Sequence, residues 1–290
     1  MTKFTLITDS ASDLSAQMVD DLGIVCIPLI FTIEDKSYAN YPDERELSSK
    51  TFYAMQRDGK IASTSAINTA TFLQTLEPLL QEGKDVLYMA FSSALSSTYS
   101  ASVAAVEILR ERYPERKIYT VDTLCASMGE GLLVYLAAQQ MKAGRTIEEV
   151  VSYVEETKRN LCHWFTVDDL NHLRRGGRLS ATSAVVGTVL NIKPVLHVDD
   201  LGRLVNVSKV RGRRKAIMAI FNEMEATAID PASQTVFISH GDCLEDAEFL
   251  AAMVKERLGV KEIIMNFIGP VIGAHSGSGT LALFFLGVQR

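Results

Sequence analysis

The chain has 290 residues, with a hydrophobic fraction of 47% and a charged fraction of 22%, which are typical of a soluble globular protein. Its formal net charge of −6 argues against a general nucleic-acid binder, because neutralising phosphates requires a basic face. The 4 cysteines, with no C-x-x-C spacing, indicate reduced thiols rather than a disulfide set or a zinc site. No signal peptide or apolar run of membrane-spanning length is present, so we expect a cytoplasmic protein without stable membrane insertion.

Strand-like and helix-like segments alternate up to residue 160. The predicted strands are Phe4–Thr8, Ile24–Ile33 with a hairpin return at Ser37–Ala39, Val86–Ala90 and Lys117–Val121. The predicted helices are Leu14–Leu22, Leu47–Arg57, Thr69–Gln81, Ala101–Arg112, Met128–Met141 and Thr146–Asn160, the last opened by a capping box of Thr146 and Glu149. This rhythm predicts an N-terminal α/β domain over 1–160, built on a mostly parallel sheet with helices on both faces.

Beyond residue 160 the pattern changes, and we expect a second α/β domain over 161–290 with a mixed sheet. Its predicted strands are Leu161–Val167, Val195–Val198, Arg203–Val210, Thr235–Ser239 and Glu262–Phe267. Its predicted helices are Asp168–Leu173, Gly212–Thr227 and Leu244–Leu258. A small apolar segment, Ala181–Leu190, lies between them, and the chain closes with a glycine-rich loop, Gly269–Gly279, and the apolar Leu281–Val288.

The most informative stretch is Ser92–Tyr99, which follows a predicted strand and opens a predicted helix. It carries five Ser or Thr hydroxyls and no charged residue or histidine. Hydroxyls and helix N-terminal N–H groups bind an oxyanion well, and without a base they hold an anion rather than attack one. Similar junctions at Asp9-Ser10 and Ser63-Thr64-Ser65 could converge on the same site, although each alone is better explained as a helix cap or turn.

Two further features carry ambiguous chemistry. His275 lies among glycines and small residues, where it could donate to an anion, shuttle a proton or be an incidental loop residue. Basic clusters occur at Arg174–Arg178 and Arg211–Lys215. The first could simply complement a helix C-terminus, whereas cations at a helix N-terminus are unfavourable and favour a phosphate-facing or partner-facing role for the second.

Taken together, the motifs resemble those of the DegV family of bacterial fatty-acid-binding proteins. The resemblance rests on an ordered set that spans almost the whole chain: Ile7–Asp13, Thr64-Ser65, Ser92–Tyr99, Val121–Thr123, Asp169–Arg178, Asn191–Pro194, Lys209–Gly212 and Gly273–Gly277. Two positions depart from the family pattern. Ser97 stands where a glycine is common, and Ile67 stands where a proline is common after the Thr-Ser pair.

The resemblance implies two α/β domains with one long-chain fatty acid in a cleft between them. It implies that Thr64 and Ser96 hold the carboxylate, with Ser97 and His275 beside it. It further implies that Arg178 lies near the head group or at the face offered to a partner, and that the bound acid is presented to a fatty-acid kinase for acyl-phosphate formation in phospholipid metabolism. Together with the basic clusters, this makes Arg178 and Arg211 the predicted partner-facing or phosphate-facing residues. On this view the protein is a lipid-binding carrier without metal or cofactor.

The sequence alone is also compatible with two enzymatic functions. A serine-dependent hydrolase or acyl-transfer enzyme could use Ser96 or Ser276 with His275, although the sequence contains no G-x-S-x-G elbow. Phosphoryl transfer by this chain alone is disfavoured because no P-loop motif occurs. Candidate tail-lining segments are Ile24–Phe31, Ala184–Leu196 and Phe267–Ile272, although each is better explained as ordinary core, and no individual tail-lining residue is predicted.

Overall fold

A computed structural model describes residues 4–179 and 191–290. The predicted segment Ala181–Leu190 lies outside the described residues. The strands are β1 (Phe4–Asp9), β2 (Val25–Ile27), β3 (Ile30–Ile33), β4 (Lys36–Ala39), β5 (Ala62–Ser65), β6 (Asp85–Ala90), β7 (Ile118–Asp122), β8 (Leu161–Thr166), β9 (Ile192–Val198), β10 (Leu204–Arg211), β11 (Thr235–His240), β12 (Glu262–Phe267) and β13 (Leu281–Leu286).

Helices cover most of the connections between these strands. They are α1 (Ala16–Leu22), α2 (Ser49–Arg57), α3 (Thr69–Gln81), α4 (Thr98–Arg112), α5 (Met128–Lys142), α6 (Ile147–Thr157), α7 (Leu170–Arg175), α8 (Arg213–Thr227), α9 (Leu244–Leu258) and α10 (Pro270–Ser276). The capping box predicted at the start of α6 is present, with Thr146 and Glu149 each bonding the other's backbone N–H. In the described part of the chain, no helix is both long and apolar enough to cross a membrane.

The first sheet is parallel, in the order β2-β1-β6-β7, as predicted. Its two faces follow the alternation of side chains along the strands. Leu6 and Leu87, which are partners in the register, enter a core that also contains α5 and α6. Ile7 and Tyr88, the next pair along, enter a second core with α3 and α4. Both faces are therefore covered, which is the expectation for a parallel sheet.

The predicted strand Ile24–Ile33 is in fact two strands that belong to different sheets. Proline lacks a backbone N–H to donate, and Pro28 lies between β2 and β3. Strand β3 pairs antiparallel with both β4 and β5 in a separate three-stranded sheet. Because β5 is followed by α3, Ser63–Ser65 ends a strand that leads into a helix, as predicted, and Thr64 lies within this strand, opposite Phe31.

The second sheet is mixed, as predicted, in the order β10-β9-β8-β13-β11-β12. Only the β11–β12 pair is parallel among the pairings of this sheet in the described ranges. Strand β13, the last along the chain, lies in the middle and joins β8 to β11. One face packs on α8 and α9. The other packs on α5, whose side chains reach both sheets because apolar residues surround the helix.

The division into domains of 1–160 and 161–290 stays a prediction. The proposed boundary falls between α6 and β8, and each large sheet lies wholly on one side of it. A single hydrophobic core nevertheless runs from the first sheet through α5 to the second. The expected glycine-rich loop at Gly269–Gly279 was wrong in part, because Pro270 opens the short helix α10 and Gly277, with φ of 83°, follows its end.

Candidate functional site

A cavity of about 280 Å³ lies between the two large sheets and is bounded by β5, the loop before α4, α7 and α10. Its polar lining residues come from both parts of the chain. Among the described residues they are Thr64, Ser65, Ser96, Ser97, Ser127, His163, Arg178, His275, Ser276 and Thr280. The rest of the lining is mainly apolar. The volume is close to the lower end of the range found for small-molecule sites, roughly 300 Å³.

Thr64 and His275, which are 211 positions apart in the sequence, meet at this cavity. The Thr64 Oγ1 atom lies 2.8 Å from His275 Nε2, and the tautomer of the ring decides which of them donates. Burial and, to a lesser degree, the nearby positive charge of Arg178 together lower the pKa of His275 to about 4. His275 is therefore a neutral imidazole at pH 7. Its Nδ1 atom is buried and has no hydrogen-bond partner among the described residues.

Ser96 forms the turn that leads into α4. Its Oγ accepts a hydrogen bond from Thr98 N at 3.2 Å and lies 2.9 Å from Thr98 Oγ1. Ser97 is exposed at the N-cap position and makes no side-chain capping bond. Its φ of −79° is accessible to every L-residue, so the backbone here does not require the glycine that is common in the pattern.

The second departure from the pattern, Ile67, also has a physical explanation. Its backbone N–H donates to Thr98 Oγ1 at 3.3 Å, a bond that a proline could not make. This bond links the segment after β5 to the start of α4. It therefore helps to hold Thr64 and Ser96 on neighbouring walls of the cavity.

Arg178 lines the cavity, whereas Arg211 does not. Arg178 is half-buried, and its Nε donates to Leu95 O at 2.9 Å while Nη1 donates to Gly176 O at 2.6 Å. Burial lowers its pKa, yet an arginine stays cationic at physiological pH. Arg211 lies exposed at the end of β10 and is not part of the lining. The structure thus separates two arginines that the sequence analysis grouped together.

Two residues of the second basic cluster, Arg213 and Arg214, contact side chains of α9. Arg213 Nε forms an ion pair with Asp246 at 2.8 Å, and the guanidinium of Arg214 lies 3.6 Å from the ring centroid of Phe249. These contacts offset the unfavourable placement of cations at the start of α8. They give the cluster a structural role at these two positions.

The Asp9-Ser10 junction supports the site without lining it. The buried carboxylate of Asp9 accepts hydrogen bonds from Tyr88 Oη at 2.6 Å and Phe91 N at 3.2 Å. Because Phe91 leads directly into Ser92–Tyr99, Asp9 fixes the start of that loop. Burial raises the pKa of Asp9 despite these bonds. The expected convergence of three hydroxyl-rich junctions on one site therefore holds for two of them.

A second buried carboxylate, Asp13, connects the cavity wall to α10. Its oxygens accept from Ser127 Oγ, at 2.5 Å, and from Gly269 N, at 2.9 Å, just before α10 begins. Burial raises the pKa of Asp13 to about 7, against the lowering effect of both hydrogen bonds. Asp13 thus ties a cavity-lining serine to the helix that carries His275.

The described residues contain no group of three or more His, Cys, Asp or Glu side chains placed to hold a metal ion.

Residues 3–288 match the family model described as "Uncharacterised protein, DegV family". The chain belongs to the DegV family. It is 50% identical over 287 residues to a DegV domain-containing protein of Clostridium perfringens. The matched region covers 99% of this chain and 98% of that protein.

Solved structures of DegV proteins share the whole fold. The structure of a DegV family protein from Thermus thermophilus, described by its fatty acid binding, has a TM-score of 0.89 at 29% identity. DegV from Bacillus subtilis, described as a fatty acid binding protein, has a TM-score of 0.85 at 28% identity. Each similarity covers 99% of this chain and 100% of the other. The predicted α/β class and the resemblance to DegV proteins are both confirmed.

Sequence reasoning missed most of the apolar wall of this DegV cavity. The second sheet supplies Phe165, Val198, Leu204, Ala282 and Phe284. The two-residue spacing of Ala282 and Phe284 shows that they share a face of β13, but such periodicity does not separate a core-facing from a cavity-facing side chain.

The candidate tail segments contribute unevenly to the DegV cavity. Leu29 lines it from Ile24–Phe31, and Ile268, Val271 and Ile272 line it from Phe267–Ile272. Of Ala184–Leu196, residues 184–190 lie outside the described residues, and 191–196 are not part of the lining. The apolar wall therefore comes from both large parts of the fold.

The geometry around His275 does not support the hydrolase alternative. His275 Nε2 pairs with Thr64, whereas Ser96 Oγ pairs with Thr98. The Oγ of Ser276 is buried and has no partner within the described ranges, and neither does His275 Nδ1. A nucleophilic triad needs a base bonded to the serine and a third group orienting that base. Neither contact is made here.

Proposed function

We propose that this protein binds one long-chain fatty acid, with the carboxylate at Thr64, Ser96, Ser97 and His275 and the acyl tail in the apolar part of the cavity. The observation that carries the proposal is the meeting of Thr64 and His275 beside Arg178 at a largely apolar cavity between the sheets. The fatty-acid-binding DegV proteins of the same fold support it.

The chemistry of the polar group suits a carboxylate. A neutral imidazole and hydroxyls can each donate one hydrogen bond, and the Arg178 guanidinium adds a positive charge within the same lining. Ser97 lies at the start of α4, where the backbone N–H groups of the first turn and the helix dipole favour an anion. Hydrogen bonds from these groups therefore orient the carboxylate, and it does not need a direct ion pair with a single cation.

The tail supplies most of the affinity. Burying about 14 methylenes at ~0.8 kcal/mol each contributes roughly 11 kcal/mol gross, of which immobilisation removes a large part. The walls at Phe165, Leu204 and Phe284 provide the apolar surface for this transfer. A charge-free hydroxyl cluster at the head group is then sufficient.

The proposal is tested by mass spectrometry of lipid extracted from the purified protein and by titration with a long-chain fatty acid. Thr64→Val and Ser96→Ala each remove one donor to a charged group, and we expect each to weaken binding about 10-fold or more. Ser100→Ala, at an exposed position of α4, is the matched control and should bind normally. Absence of fatty acid from the extract together with no binding on titration would refute the proposal.

We further propose that the protein is a cytoplasmic carrier rather than an enzyme, and that it presents the acid to a fatty-acid kinase through a face containing Arg178 and Arg211. Arg211 is exposed and away from the cavity, so Arg211→Ala should leave fatty-acid affinity unchanged while slowing acyl-phosphate formation by an added kinase. Arg178→Ala should impair use by the kinase more than it weakens binding. Abolition of binding by Arg178→Ala to the same degree as by Ser96→Ala would contradict the assignment of Arg178 to this face.

A further inference from the structure

Gly176, at the end of α7, faces the Nδ1 edge of the His275 imidazole. A Cβ atom added at Gly176 would overlap His275 Nδ1 and would lie 3.2 Å from Cγ and Cε1 of the same ring. The backbone of Gly176 is ordinary, with φ of −74° and ψ of −6°, so alanine is conformationally allowed there. The three atoms nearest to such a Cβ all belong to the imidazole, so this ring is what an added side chain would meet first.

The contact is reciprocated by the neighbouring helix. A Cβ atom at Gly277, just after α10, would lie 2.7 Å from His172 Cδ2 on α7. Each helix is thus followed or ended by a glycine whose missing side chain leaves room for the histidine of the other. The carbonyl of Gly176 also accepts a hydrogen bond from Arg178 Nη1 at 2.6 Å. Gly176 therefore contacts both Arg178 and His275, two residues that line the cavity.

We propose that Gly176 is a positioning residue for the head-group site: by lacking a side chain it lets the Nδ1 edge of the His275 ring lie against the end of α7, with Nε2 directed at Thr64. This inference rests on the proposed function, because it assigns Gly176 a role in binding the carboxylate. It adds a residue that does not itself line the cavity.

The geometry predicts how a substitution acts. With a methyl group at position 176, the ring must rotate away, and its bond to Thr64 at 2.8 Å is broken. The burial that now lowers the pKa of His275 is reduced at the same time. Alanine at a helix end is otherwise tolerated as well as glycine or better, so the fold should survive.

The experiment compares Gly176→Ala, His275→Ala and the double variant, with Arg174→Ala, an exposed residue of α7, as control. In ligand-free protein, ring ¹⁵N spectra of His275 should show loss of the Thr64 hydrogen bond in Gly176→Ala and a ring pKa that rises from about 4 towards its ordinary value of 6.5. Fatty-acid affinity should fall about 10-fold. In the His275→Ala background, Gly176→Ala should change affinity by less than about twofold, because residues acting through one another are not additive.

Two results would overturn the assignment. One is an unchanged His275 spectrum in Gly176→Ala. The other is a loss of affinity that is equally large without the imidazole, which would mean that Gly176 acts by another route. If the parent protein binds no fatty acid, the proposed function fails, while the spectra of the ligand-free variants still decide whether Gly176 positions His275.

Discussion

Asp13→Asn should make the stability of this protein less sensitive to pH. Burial raises the pKa of Asp13 from 3.8 to about 7 in the folded state. Between those values the folded protein holds a proton that the unfolded chain has released, so this carboxyl contributes less stability as the pH rises. The free energy changes by about 1.4 kcal/mol per pH unit, which gives roughly 4 kcal/mol over the interval. Asparagine does not titrate, and its oxygen can still accept from Gly269 N.

The stability difference between Asp13→Asn and the parent should therefore shift in favour of the variant as the pH rises from about 4 to about 7, and then level off. Urea unfolding at intervals of one pH unit from 4.5 to 8.5 measures it. The exposed Asp58→Asn makes the same change in net charge and serves as control. A difference that stays constant across this range would refute the argument that a desolvated Asp13 carboxylate opposes folding.

Three other substitutions test separate parts of the cavity and its support. Ala282→Leu adds bulk to the wall and should shift the extracted fatty acids to shorter chains in mass spectra, whereas Ala70→Leu on the exposed face of α3 should not. Ser92→Ala removes a 2.9 Å hydrogen bond to Gly202 O and should lower the free energy of unfolding by about 1–2 kcal/mol in urea. Tyr88→Phe removes a donor to the buried Asp9 carboxylate and should cost about 2 kcal/mol by thermal unfolding, with a larger loss at higher pH. No change in each of these measurements would contradict the corresponding contact.

Much of the fold follows from local signals in the sequence. The bounds of α3 and α9 match the predicted Thr69–Gln81 and Leu244–Leu258, because periodic apolar residues end at a clear glycine signal in both. Strand β5 was missed because Ala62–Ser65 is short and polar. It is a strand because β3 pairs with it, and no window of sequence reports that pairing.

The site shows the same division between local and long-range information. Ser96 could be found from its own neighbourhood, a hydroxyl cluster at the start of a helix. The pairing of Thr64 with His275 depends on packing between segments 211 positions apart, and only the family resemblance indicated it. Most of the apolar wall was not predictable, because the sequence does not reveal where packing leaves a void.

The central place of β13 in the second sheet has a consequence for synthesis of the chain. Strands β8 and β11 are both synthesised earlier, but each has one edge that pairs only with Leu281–Leu286. A nascent chain that stalls before this segment therefore carries two unpaired strand edges, which are prone to pair with other chains. It also lacks Ala282 and Phe284 from the cavity wall. Chaperone dependence during translation should accordingly be greatest just before β13 emerges from the ribosome.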